Sequence, residues 1–240
     1  NIMTAASAGD EPTLAREYHL SGLVQGQGVR PTIARLATRH QVTGFVRNTS
    51  KGVQVVVHGS PGDVAEFEQR IRDSFRVHSQ IIELDKLDPR LSDLERFTIR
   101  PSLCDAEVSA VVPPDKATCE SCYRDLLDPK SRRFRYPFTS CVDCGPRYSI
   151  IRSMPFDREQ TSMAAFPMCG DCQREYGDPN DRRFHAQTNA CPVCGPACWA
   201  TDRDGQLLSR EDQAVRAIVE AIKEGCIAAI KGLGGYQLVC

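Results

Sequence analysis

Eight of the twelve cysteines fall into four Cys-x-x-Cys pairs, and the pairs form two copies of one unit. Cys119 and Cys122 are followed, after eighteen residues, by Cys141 and Cys144. Cys169 and Cys172 are followed, after the same eighteen, by Cys191 and Cys194. Each cysteine of the second unit stands fifty positions after its counterpart. A tetrahedral Zn²⁺ held by four thiolates needs two close pairs, each on a tight turn, joined by a loop that folds back. The spacing predicts two zinc sites with these eight residues as ligands. With every position taken by sulfur, no position is left to activate water, so both sites read as structural.

The repeat extends past sulfur. Asp128-Pro129 and Arg132-Arg133-Phe134 recur as Asp178-Pro179 and Arg182-Arg183-Phe184, and Cys144-Gly145-Pro146 recurs as Cys194-Gly195-Pro196. The glycine after each second pair suggests a positive φ where the chain rounds the metal. Four disulfides or redox dithiols are the competing reading. It is weaker because the chain is large, the spacing is of the zinc type and four cysteines are left over. Duplication favours closure inside each unit, while a crossed pairing stays open. Cys198 and His185 are outside candidates for ligation.

The 240 residues suggest about two domains. A net charge of −1 offers no field to attract nucleic acid or an anionic membrane. The cysteine region is balanced too, with 11 Lys+Arg against 10 Asp+Glu from Cys119 to Trp199. A nucleic-acid-binding finger is normally basic. No apolar run approaches the roughly 18 residues that span a bilayer. The opening segment lacks the apolar stretch of a signal peptide, and residues 1–15 read as a disordered arm. Zinc-type thiols without a secretory signal point to a reducing cytoplasm.

Over the next hundred residues short elements alternate. Glu17 to Val24 reads as a strand, and a helix with Pro31 in its first position follows. Its inner residues are Ile33, Leu36, Ala37 and His40. Val42 to Asn48 and Gly52 to His58 are strands joined as a hairpin, with Val53, Val55 and Val57 alternating against Gln54 and Val56. Ser60-Pro61 opens a second helix with Val64, Phe67, Ile71 and Phe75 inward. Ile81 to Leu87 and Phe97 to Arg100 complete the strands. The order β-α-β-β-α-β is that of a ferredoxin-like sheet with helices on one face.

The first strand-to-helix turn carries the chemistry. Gln25-Gly26-Gln27-Gly28-Val29 lets backbone N–H groups converge at a helix start, which is an anion-binding arrangement. Arg30 adds a planar fork of donors suited to phosphate. Asn48, at the end of the second strand, can hold a water by its side-chain carbonyl. A plain glycine-rich turn and a plain hairpin asparagine are the bland alternatives.

Gly22-Leu23-Val24-Gln25-Gly26-Gln27-Gly28-Val29-Arg30, with Gly44-Phe45-Val46-Arg47-Asn48 and Gly52-Val53, resembles the acylphosphatase pattern. The resemblance implies that Arg30 and the loop amides hold a phosphate and that Asn48 orients the attacking water. The sequence departs from the pattern at Gln27 and Val29, where valine and phenylalanine are usual.

An acylphosphatase module ahead of two four-cysteine units resembles the N-terminal part of the HypF family, carbamoyltransferases of nickel–iron hydrogenase maturation. Pro114-Asp115, Cys144-Gly145-Pro146-Arg147-Tyr148 and Met154-Pro155-Phe156-Asp157-Arg158 add to the likeness. So does the segment from residue 205, which reads as a helix from Gln213 to Lys223, a Gly225 stop, a buried strand from Cys226 to Ile230, and Lys231-Gly232-Leu233-Gly234-Gly235. That segment is similar to the opening of the YrdC-like domain of the family.

The expected architecture is therefore α+β. An acylphosphatase-like domain spans 16–101, a linker 102–114 and the duplicated zinc units 115–150 and 165–198, with a truncated α/β domain over 205–240. The family implies carbamoyl phosphate as substrate, two structural Zn²⁺, ATP and the partner HypE in the full-length protein, and Lys231, Gly232 and Gly234 as contributors to nucleotide binding. The alternative is a zinc-finger module that binds protein or nucleic acid, attached to an inert ferredoxin-like domain.

Overall fold

The computed structural model describes residues 13–75, 78–83, 94–103, 109–232 and 234–240. Residues 1–12 of the expected arm, Cys104, and the predicted strand beyond Glu83 fall outside them. The chain divides into two compact units. One comprises Asn1–Gln25 with Val29–Val111, the other Gly26–Gly28 with Val112–Cys240.

The first unit runs β1 (Leu14–Ser21), α1 (Val29–Arg39), β2 (Thr43–Thr49), β3 (Gly52–Gly59), α2 (Pro61–Ser74), β4 (His78–Glu83) and β5 (Phe97–Ile99). The strands lie in the order β4-β1-β3-β2-β5, antiparallel except for the β2–β5 pair. This is the predicted ferredoxin-like sheet with a short parallel edge. Tyr18, Leu20, Ile33, Leu36, Ala37, Val53, Val55, Val57, Val64, Phe67 and Ile71 form one core, as the two periodicities required. Val56, read as facing solvent, is instead buried with Phe45 on the opposite face, where Leu94 packs on them.

Strand β1 begins at Leu14, three residues before the expected start, because the ladder with β3 continues to the Leu14–Gly59 pair. It ends at Ser21, and Gly22 turns the chain at φ +91°. Val24, predicted in the strand, is a fully buried loop residue. Helix α1 starts at Val29, so Pro31 is its third residue rather than its first. Proline is tolerated there because the first-turn N–H groups have no intrahelical acceptor. Helix α2 starts as read: Ser60 accepts from the Asp63 N–H at 3.1 Å, and Pro61 follows.

The second unit holds the duplication. Helices α3 (Glu120–Leu127) and α4 (Gly170–Gly177) follow Cys119 and Cys169 directly. After each helix an aspartate side chain accepts from a backbone N–H two residues on, Asp128 from Lys130 and Asp178 from Asn180, both at 2.9 Å. The repeated Asp-Pro is thus a repeated turn. Between the repeats lies a core of Tyr136, Ile150, Phe156, Met163 and Ala190. Phe156 and the buried Arg158, which donates to the carbonyls of Gln187, Asn189 and Phe166, put the Met154–Arg158 motif in this packing.

Gly145 has the expected positive φ, +91°. Gly195 does not, and the reason for glycine there is different. A Cβ on it would lie 2.2 Å from the Tyr136 hydroxyl oxygen and 2.6 Å from Ala190 Cβ.

Beyond the repeats come β6 (Trp199–Thr201), β7 (Leu207–Arg210), α5 (Glu211–Lys223), β8 (Ala228–Lys231) and β9 (Tyr236–Val239). Gly225 stops α5 at φ +87°. The strand expected to be buried from Cys226 to Ile230 is not. It is β8, paired among the described residues only with β9; Ala228 is buried, but Ile227 and Ile230 are exposed. No helix among the described residues is long and apolar enough to cross a membrane.

Candidate functional site

The predicted anion loop connects β1 to α1. Gly26 and Gly28 have φ of +67° and +78°, a backbone shape that other residues adopt only under strain. The loop is anchored by its first residue. The Gln25 side chain is buried and donates to the carbonyl oxygens of Thr49 at 2.7 Å and Gly52 at 2.9 Å, on the β2–β3 hairpin. The sequence reading gave Gln25 only a backbone role, because a glutamine in a polar loop carries no mark of burial. Gln27, which departs from the acylphosphatase pattern, has a buried Nε2 with no hydrogen-bond partner among the described residues.

Arg30 and Asn48 are brought to one end of the sheet. The Arg30 guanidinium lies 3.5 Å from the Ser102 hydroxyl oxygen. The next residue, Leu103, donates its N–H to the Asn48 backbone carbonyl at 2.9 Å. Asn48 itself is buried, near the end of β2. Among the described residues, the Arg30 guanidinium and the Asn48 backbone carbonyl thus reach neighbouring residues of the Ser102–Leu103 segment in the first unit. The Arg30 guanidinium has the donors to bind an anion, and the Asn48 carboxamide has the carbonyl to hold a water.

The eight predicted ligands form two clusters, Cys119–Cys122–Cys141–Cys144 and Cys169–Cys172–Cys191–Cys194, with the sulfurs of each within 4.8 Å of one another. Closure is inside each repeat, so the crossed arrangement is not adopted. The sulfurs stand 3.7 Å apart between Cys119 and Cys141 and 3.9 Å between Cys141 and Cys144. In the second cluster the separations are 3.7 Å for Cys169–Cys191 and for Cys191–Cys194, and 3.6 Å for Cys172–Cys194. A tetrahedral Zn²⁺ with bonds of about 2.3 Å sets its sulfurs ~3.8 Å apart, so both donor sets fit the ion. All eight are thiols, not disulfides. Cys198 and His185 belong to neither cluster. His185 packs against the rings of Tyr176 and Phe184, each at 4.7 Å.

Helix α3 carries Cys122 and Asp125, and α4 carries Cys172 and Glu175, so one face of each helix presents a sulfur and a carboxylate. Burial pushes the Glu175 carboxyl up, but hydrogen bonds from Arg133 and Arg132 outweigh it and hold the group at about 2. Asp125 is likewise held below the usual carboxylate range, where burial is outweighed by Arg183 and Arg182. The charged partners belong to the opposite repeat in both cases. The sequence marked these arginines as repeated but gave no hint of where they reach.

Lys231 ends β8, and Gly232 and Gly234 lie in the turn to β9; all three are exposed. Lys231 Nζ donates to the Gly232 carbonyl at 3.0 Å and sits 5.6 Å from the centroid of the Tyr236 ring. Leu233 falls outside the described residues.

Residues 16–99 match the acylphosphatase family, and residues 118–151 and 168–201 each match the HypF finger. A carbamoyltransferase HypF from Synechocystis sp. is 46% identical over 221 residues, covering 92% of this chain and 29% of the relative. A probable carbamoyltransferase HypF from Methanocaldococcus jannaschii is 41% identical over 226 residues, covering 92% of the chain and 29% of the relative. A crystal structure of full-length HypF in the phosphate- and nucleotide-bound form superposes with a TM-score of 0.82 at 37% identity. That match covers 97% of this chain and 30% of the solved one. The chain thus spans less than a third of the length of these relatives.

Proposed function

The chain belongs to the HypF family, matching the N-terminal region of its members, and on that premise we propose that its acylphosphatase segment, residues 16–99, hydrolyses carbamoyl phosphate to carbamate and phosphate. The observation that supports this reading is that Arg30 and the buried Asn48 lie by neighbouring residues, the Arg30 guanidinium by the Ser102 hydroxyl and the Asn48 backbone carbonyl on the Leu103 N–H. An acyl phosphate already has a good leaving group. The protein need only hold the dianion, set a water in line and stabilise the developing charge. Arg30 and the backbone N–H groups of residues 25–30 do the holding, and the Asn48 carboxamide sets the water.

In the full-length protein the carbamate passes to a YrdC-like domain, where ATP converts it to carbamoyl adenylate. Lys231, Gly232 and Gly234 contribute there to nucleotide binding. The carbamoyl group then goes to the C-terminal cysteine of HypE, the source of the hydrogenase cyanide ligands. The phosphate and nucleotide named for the full-length HypF crystal structure support this division of labour. Each four-thiolate cluster holds one structural Zn²⁺, which fixes its repeat and takes no part in the chemistry.

Phosphate release from carbamoyl phosphate by the 240-residue chain tests the first step. Arg30→Ala and Asn48→Ala each lower the rate by about 10²–10³-fold. Unchanged release in both variants rejects the assignment, and salt-dependent DNA retention without hydrolysis favours the binding-module reading.

A further inference from the structure

The two cysteine clusters are not independent. Arg182, in the second repeat, donates from Nη1 to the sulfur of Cys122 in the first at 2.9 Å. Arg132, in the first repeat, donates from Nη2 to the sulfur of Cys172 in the second at 3.1 Å. The adjoining arginines complete the exchange. Arg183 reaches Asp125 and the Ser140 carbonyl, while Arg133 reaches Glu175 and the Ala190 carbonyl. Each of these contacts has its counterpart fifty residues away, so the exchange is reciprocal.

We propose that each metal is held in part by an arginine of the other repeat: Arg182 is a positioning residue for the Cys119–Cys144 site, and Arg132 for the Cys169–Cys194 site. Four thiolates around a dication leave a net charge of −2, and three of the first cluster's four cysteines are buried. A guanidinium at the sulfur offsets that charge where water cannot. It also fixes the direction of the sulfur lone pairs, as partners of metal ligands do elsewhere. In both clusters the contacted sulfur is the one on the helix that also carries the carboxylate. Helix, guanidinium and metal ligand therefore form one connected element in each direction.

This inference rests on the zinc reading, and the test separates the two. The protein is loaded with cadmium-113, whose resonances at the two sites are assigned with Cys119→Ser and Cys169→Ser. Arg182→Met shifts the resonance of the Cys119–Cys144 site and weakens that site about 10–100-fold in competition with a chromogenic chelator. Arg132→Met does the same to the Cys169–Cys194 site. Arg182→Lys, which keeps the charge but loses the fork, gives a smaller effect at the same site and serves if the methionine variant does not fold. An effect confined to the repeat in which the substituted arginine lies, or no effect at either site, overturns the crossing. A purified parent chain that binds no zinc or cadmium overturns the metal reading itself.

Discussion

The guanidinium of Arg133 closes on the carboxylate of Glu175 with two nitrogens, at 2.8 and 2.6 Å, across 42 residues of chain and from one repeat to the other. Arg133 is almost wholly buried, at 2% exposure. It also donates to the Ala190 carbonyl and the Asn189 side chain, both at 2.8 Å. A buried guanidinium with this many acceptors is tolerated because all of them are satisfied together. Removing it strands the acceptors.

Arg133→Met therefore destabilises the second unit. Breaking a buried pair from one side costs about 3–5 kcal/mol, and the loss falls at the lower end because Arg132 still pairs with Glu175 at 2.7 Å. Denaturant unfolding of the zinc-loaded chain measures it. A loss below about 1 kcal/mol would place this pair with ordinary surface ion pairs.

Acid weakens the same contact. Glu175 has a folded value of about 2, below its ordinary 4.5. A depressed carboxylate contributes its stability above the ordinary value and loses it as pH falls towards the folded one. Acid also protonates the thiol ligands, so the comparison that isolates Glu175 is parent against Glu175→Gln. The gap between their unfolding midpoints narrows from about pH 5 to about pH 3. A gap that stays constant shows that the charge of Glu175 contributes nothing.

The loop anchor gives a prediction for the first unit. Gln25→Ala leaves the buried carbonyls of Thr49 and Gly52 without their donor, at about 1–3 kcal/mol. It also frees the start of the glycine-rich loop, so turnover falls while Arg30 and Asn48 remain in place. Thermal unfolding together with the rate of phosphate release reads both effects. Unchanged values for both remove the anchoring role.

Much of this was legible because it depends on spacing. Cysteine pairs repeated at fifty residues specify two clusters whatever the loops do, and Val53, Val55 and Val57 specify the inner face of a strand. What spacing could not give was the third dimension. The repeated Arg-Arg-Phe looks the same whether its arginines turn to their own helix or to the other one. The glycine of Cys194-Gly195-Pro196 was explained by a positive φ, whereas its cause is the Tyr136 side chain, 59 positions earlier in the chain. Leu14 to Arg16 lack a strand pattern of their own and are extended by the β3 ladder. Gln25 is polar in sequence and buried in the structure because its amide meets two carbonyls that only the folded hairpin brings together.

Metal removal separates the two units. Structural zinc contributes about 10–16 kcal/mol of apparent folding energy in finger peptides. A chelator therefore unfolds the repeats from Cys119 to Cys194, and hydrogen exchange shows their amides losing protection while those of β1, β2 and β3 keep it. Protection retained throughout in a zinc-free chain contradicts a structural role for the metal.

The account turns on Arg30 and Asn48 acting together on an acyl phosphate, and the most direct test follows the oxygen. The chain is incubated with carbamoyl phosphate in oxygen-18 water, and the released phosphate is weighed by mass spectrometry. Water placed in line with the phosphorus puts one heavy oxygen into each phosphate, and Arg30→Ala abolishes that labelled fraction. Release no faster than without protein, unlabelled phosphate, or labelled phosphate formed at the parent's rate by Arg30→Ala would contradict it.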